Sequence, residues 1–177
     1  LACALALPEK REARHESDRL PIGDILRRRE VKALFIACFF MAAAHGALYV
    51  FYSIHLVSRG YGTTMVGMLW TLGVVAEIAV FLYLPRLLHF FSLRAILLFS
   101  FACAVARFLM IGWGVDWLAV VLIAQLLHAA TFGAYHAAAV AAVNRWFAGR
   151  HQARGQALYG SVSFGAGGMV GGLLSGW

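Results

Sequence analysis

Acidic side chains are scarce in this sequence: 177 residues carry eight Asp and Glu, and six of those eight fall between residues 8 and 32. Charge of either sign is thin, at 13% of residues, where a soluble domain carries about a quarter. Cysteine occurs three times (Cys3, Cys38, Cys103), always in an apolar run and never at metal-ligand spacing. That pattern gives no disulfide framework and no metal site, and assigns the thiols to packing. G-x-S-x-G and H-E-x-x-H are missing, so hydrolase and zinc-protease readings have no support. The C-terminal glycine run fails G-x-G-x-x-G, because Val170 stands where the last glycine belongs and no strand precedes it. The chain reads as no enzyme, with no cofactor to hold.

What is present is apolar. The hydrophobic share is 62% and mean hydropathy is +0.78, which places the chain in the bilayer class. Residues 32–57, 63–85, 94–113, 116–143 and 155–177 form five runs, each long enough to cross a hydrocarbon core that needs about 20 residues. Residues 1–7, "LACALAL", read as the tail of a preceding transmembrane span. They are too short and wrongly flanked for a signal peptide. With no initiator Met and an end inside the fifth run, the chain is expected to be a fragment. The predicted fold is all-α, a polytopic membrane helix bundle with the lipid bilayer as its first partner.

Orientation follows from Lys and Arg, which gather on the cytoplasmic side. Segment 8–32 holds eight of the fifteen, the 86–94 turn two and the 145–154 loop three. The alternate loops hold Arg59 and none. Segments 8–32, 86–94 and 144–154 are therefore expected inside, and 58–62 and 113–117 outside. The net charge of +7 is explained by this topology, so nucleic acid is not an expected partner. Residues 8–31, with mixed charge and two prolines, read as a cytoplasmic linker containing a helix that lies on the membrane surface.

This accounting leaves one acid and one base inside spans, Glu77 and Arg107. A charge at the bilayer centre costs roughly 2.5–3.5 kcal/mol on insertion scales, so such groups mark functional sites by default. Counting 1.5 Å per residue from the outer ends puts Arg107 at roughly 9 Å, His45 and His128 at about 18 Å and Glu77 at about 21 Å. His136 falls near 30 Å, by the cytoplasmic boundary. Three titratable groups thus share the midplane, where secondary transporters bind substrate and coupling ion. A carboxylate and a histidine there can exchange a proton, which makes Glu77 and His128 the candidate proton-coupling pair with the proton as coupling ion. Arg107, His45, Tyr49, Tyr52, Trp70 and Phe132 are candidate substrate contacts, a cation beside an aromatic-rich face. Packed core roles for His45 and a snorkelling role for Arg107 are the competing readings. In the fifth run Gly168, Gly172 and Gly176 stand four apart, with Gly167 and Gly171 beside them. Small residues at that spacing let helices approach closely, and a flexible, bending helix is the alternative.

The basic linker, short alternating loops, and Glu, Arg and His on successive spans resemble the C-terminal half of a major facilitator superfamily transporter. Glu77, Arg107 and "LLHAAT" are similar to the lactose-permease branch; "GYGTTMVGMLWTLGVVAEI" and "GRHQARGQALYGSVSFGAGG" are closer to the phenylpropionate-permease-like subgroup. The resemblance implies proton-coupled symport of a small organic solute by alternating access, in the inner membrane, with the missing N-terminal half as partner. By it, Glu77 serves sugar or proton, Arg107 is its charge partner and His128 belongs to the substrate and proton site. The lactose branch has a second acid where this chain has Thr131, and the 86–94 turn keeps only Arg86 and Arg94 of the superfamily's charged signature. An aromatic carboxylate is the favoured substrate. A sugar or nucleoside, or a non-transporting sensor or assembly subunit, are the alternatives.

Overall fold

The computed structural model describes residues 21–176. The expected span tail at 1–7, residues 8–20 of the linker, Cys3 and Trp177 lie outside the described residues.

Five helices among the described residues are long and apolar enough to cross a membrane: Arg29–Ser58, Thr63–Phe90, Leu93–Trp113, Leu118–Trp146 and Gly149–Leu174. A short helix α1 (Ile22–Arg27) precedes α2 (Arg29–Ser58), α3 (Thr63–Phe90) and α4 (Leu93–Trp113). The fourth span joins α5 (Leu118–Leu126), a π-helical segment π1 (Ala129–Ala134) and α6 (Tyr135–Trp146). A 3₁₀ turn (Gly149–His151) leads into the fifth span, built from α7 (Gln152–Gly160), π2 (Ser161–Gly167) and α8 (Gly168–Leu174). No strand occurs among the described residues. In lipid every backbone group must be satisfied within its own segment, which leaves helices as the economical choice for these runs.

Local chemistry ends each helix. Gly60, at φ 89°, takes the left-handed conformation that turns the chain from α2 toward α3. Ser92 caps α4 by accepting from the Ala95 amide at 3.2 Å. Pro85 lies inside α3, which runs on to Phe90 rather than stopping at 85. The surface-lying linker helix needs correction. α1 docks on the bundle, with Ile25 fully buried in a cluster containing Val31, Leu34, Val143 and Phe147. Ile22, Ile25 and Leu26 share one face at helical spacing, and burying that face outweighs leaving it at the interface.

A second core, of Leu48, Tyr52, Leu56, Val66, Leu69, Ile111, Val115 and Val121, fills the half of the first four spans nearer the 58–62 and 113–117 loops. Polar ties close it at the rim: Tyr61 Oη donates to the Val115 carbonyl at 2.7 Å and Arg59 reaches Asp116 at 3.0 Å. Large apolar side chains such as Phe40, Leu82, Phe99 and Leu122 point outward, as a lipid-facing surface requires.

The packing glycines also need correction. A Cβ on Gly171 would fall on the Ala43 carbonyl, and one on Gly167 would lie 2.5 Å from the Phe39 carbonyl. Gly172 has only Val50 Cγ2, at 4.0 Å, and Gly176 faces its own helix. In the row of Gly168, Gly172 and Gly176, backbone-close contact with α2 is made by Gly168, whose carbonyl a Cβ on Gly46 would meet at 2.5 Å. Two adjacent glycine rows look alike in sequence, and only the position of α2 chooses between them. Gly171→Ala is expected to destabilise the full-length protein by about 1–3 kcal/mol, as overpacking does, and Gly172→Ala to change little. Thermal unfolding in detergent measures both; equal midpoints would remove the contact.

Candidate functional site

Arg107, on α4, is completely buried. Its Nε donates to the Ala124 carbonyl at 3.0 Å, one terminal nitrogen donates to Gln125 Oε1 at 3.0 Å, and the other lies 3.4 Å from both Thr131 Oγ1 and His45 Nε2. His45 Nδ1 is 2.9 Å from the Met41 carbonyl. Donating there leaves the Nε2 lone pair to accept from the guanidinium. Every partner of Arg107 is a neutral acceptor. Among the described residues no carboxylate comes within 4.0 Å of it; the ion pairs found are Arg59–Asp116 and His128–Glu77. Full burial rules out snorkelling. The expectation that Arg107 stands a layer above His45 is also corrected: the long side chain brings its head down to the level of His45 and Thr131.

Glu77 does not meet Arg107. Its Oε2 lies 3.7 Å from His128 Nε2, within ion-pair range and beyond a hydrogen bond. Two glycines make room for the pair. A Cβ on Gly133 would stand 3.1 Å from Glu77 Cγ, and one on Gly73 would stand 3.3 Å from His128 Cδ2. His128 Nδ1 is buried without a hydrogen-bond partner, so its second nitrogen is uncommitted.

The other expected contacts divide. His45, Tyr49 and Phe132 line a cavity of about 150 Å³ together with Gly46, Thr131, Tyr135 and Phe164. Tyr52 and Trp70 do not line it. Tyr52 is 2% exposed and its hydroxyl accepts from Gln125 Nε2 at 2.7 Å, while Trp70 Nε1 donates to Ser53 at 3.0 Å. The two stack edge to face at 5.0 Å, and Trp70 also meets Tyr49 at 5.8 Å. They form a backing wall behind the cavity's upper end.

Three participants escaped the sequence reading. Gln125 bridges Arg107 to Tyr52, Thr131 supplies a hydroxyl where an acid was looked for, and Phe164 meets Phe132 across the spans at 6.5 Å. A signal for Gln125 existed, since it is the one polar side chain between Asp116 and His128. Both Thr131 and Phe132 stand on π1, and Phe164 stands on π2. π turns are frequent at functional sites, and here each carries a side chain that lines the cavity. The cavity is bordered by His45 and Thr131, which contact Arg107, and by the rings of Tyr49, Phe132, Tyr135 and Phe164.

Comparison with known proteins identifies the family. The model of the MFS_1 like family matches residues 2–177. The chain is 39% identical over 137 residues to the "Probable 3-phenylpropionic acid transporter" of Escherichia coli (strain K12). That match covers 74% of this chain and 34% of the relative, so the chain spans about a third of that protein's length. No solved structure matches it. Five membrane-length helices, buried polar groups at mid-depth and a family match over nearly all its residues place this chain in the MFS_1 like family of the major facilitator superfamily.

Proposed function

We propose that the chain is part of a secondary transporter of the inner membrane that carries a small aromatic carboxylate together with a proton, with the 8–31 linker in the cytoplasm. The observation that carries the reading is the buried, uncompensated cation. A guanidinium held only by neutral acceptors leaves a net positive charge at mid-membrane, and a carboxylate satisfies it with paired, charge-assisted hydrogen bonds. The lining residues suit such a solute, with the anion placed toward His45 and Thr131, which contact Arg107, and the ring toward the aromatic side chains. Its volume of about 150 Å³ is about half the lower bound of a ligand pocket, roughly 300 Å³, so this bundle supplies one wall of a larger site. The relative's name makes 3-phenylpropionate the probe of choice.

Alternating access would expose this wall first to one side and then to the other, with Glu77 and His128 holding and passing the coupled proton. The Glu77–His128 pair alone also suits a sugar or nucleoside symporter; that reading leaves the cation unanswered. In proteoliposomes of the full-length protein, an inward proton gradient is expected to drive accumulation of 3-phenylpropionate and not of 3-phenylpropanol, its neutral analogue. Accumulation of a sugar or nucleoside in place of the acid would favour the second reading. No uptake of any of them would favour a non-transporting role.

A further inference from the structure

Below the cavity, on the side expected to face the cytoplasm, a second polar group has no place in the substrate site. Tyr159 Oη on α7 lies 3.0 Å from His136 Nδ1 on α6. From there a seam of amides continues toward the loop between the spans. Gln156 Nε2 donates to Asn144 Oδ1 at 2.7 Å and to the Val140 carbonyl at 3.2 Å, and Gln152 Nε2 donates to Asn144 at 3.3 Å. His136, Val140 and Asn144 stand four residues apart on one helical face, and the side chains of the seam are partly exposed. Such a stripe is costly against lipid and suited to water.

At the other end the group touches the cavity. Tyr135 lines it, and the Tyr135 hydroxyl is buried without a hydrogen bond of its own. Tyr135 packs with Tyr159 and Cys38 in one buried cluster. Ser163 Oγ is likewise buried and unpartnered. Buried polar atoms without partners are rare in folded proteins, and each asks for a reason.

We infer that Tyr135, Tyr159 and His136 form the path by which the coupled proton passes between the cavity and the cytoplasmic side, with the Asn144, Gln152 and Gln156 seam as its aqueous end. This deepens the proton-coupled reading and rests on it. In transfer toward the cytoplasm, a proton from the cavity binds the Tyr135 oxygen as that hydroxyl's own proton passes to the Tyr159 oxygen. The Tyr159 proton moves to His136 Nδ1, and the proton on His136 Nε2 leaves to water at the seam. Each group ends with as many protons as it began with, and the starting tautomer returns when the imidazole turns toward the seam, where water takes the Nδ1 proton and gives one to Nε2. Phe132, stacked between His128 and His136 at 5.5 and 6.2 Å, keeps the two imidazoles from direct exchange and routes the proton through the phenols.

The test uses the full-length protein in proteoliposomes with a pH-sensitive dye inside and 3-phenylpropionate as the probe. Tyr159→Phe removes one oxygen and keeps the ring that packs on Phe164 at 5.9 Å. Proton-coupled uptake is expected to fall by about two orders of magnitude, the lower range of what a positioned proton-transfer group contributes. Exchange of internal for external substrate, which needs no net proton release, is expected to stay within about twofold, since the removed oxygen touches no substrate. Uptake by Tyr159→Phe equal to wild type overturns the path alone. Equal loss of uptake and exchange overturns it in favour of a packing role. A wild type that accumulates the acid without moving protons overturns the coupling reading and the path with it.

Discussion

Arg107→Met in the full-length protein weakens binding of 3-phenylpropionate by at least about 2 kcal/mol, a factor of roughly 30, the low end for removing one member of a buried, hydrogen-bonded charge pair. Methionine fills much of the same volume and carries no donor. The Ala124 carbonyl, Gln125 Oε1 and Thr131 Oγ1 lose the guanidinium they share, so some stability is lost too. Binding of the neutral analogue 3-phenylpropanol separates the two effects, because a collapsed site loses both ligands while a missing cation loses only the acid. Arg107→Lys restores the charge without the planar fork and recovers affinity in part. Calorimetric titration or tryptophan quenching reads both variants against the wild type. Unchanged affinity for the acid in Arg107→Met would make Arg107 a structural cation whose counter-charge lies elsewhere.

Glu77→Gln abolishes uphill accumulation and leaves exchange of substrate across the membrane in place. The amide keeps the shape that sits against Gly133 and the proximity to His128, and it cannot release a proton. With a proton gradient imposed, the variant fills vesicles only to the level that the substrate's own gradient sets. With the gradient collapsed, variant and wild type behave alike. Dye-reported proton entry on addition of substrate should vanish in parallel. Gradient-driven accumulation by the variant at the wild-type level would move the coupling site away from Glu77.

The helical architecture and the key charges were legible because the bilayer makes them so. An unbroken apolar run can satisfy its backbone only as a helix, and a single ionised group inside such a run is too costly to be incidental. Glu77 and Arg107 stand out for that reason, and His128 by its depth. Gln125 did not, because an amide costs far less to bury than a charge and so disturbs the pattern less. Depth counted along the helix axis locates Cα atoms, which misplaced Arg107, whose head lies a full side chain away from its own backbone. The two π turns have no compositional mark. Ala129–Ala134 and Ser161–Gly167 contain the same small and aromatic residues an α-helix would, yet the extra residue per turn re-aims everything after it. Which glycine row met α2, and that α1 would sink Ile25 into the bundle, depended on partners far away in sequence.

The backbone contact between the first and fifth spans has a mechanical meaning. Where the Gly167 and Gly171 backbone rests on the Phe39 and Ala43 carbonyls, no side chain lies between, so no rotamer change can absorb a shift. The two spans are geared together without backlash. Ala43 is two residues from His45 on the same helix, so a shift of the fifth span would press on α2 beside the imidazole that borders both the cavity and Arg107. Under the proposed function, access to the substrate's anionic end would follow the position of a helix that contributes no charge to it.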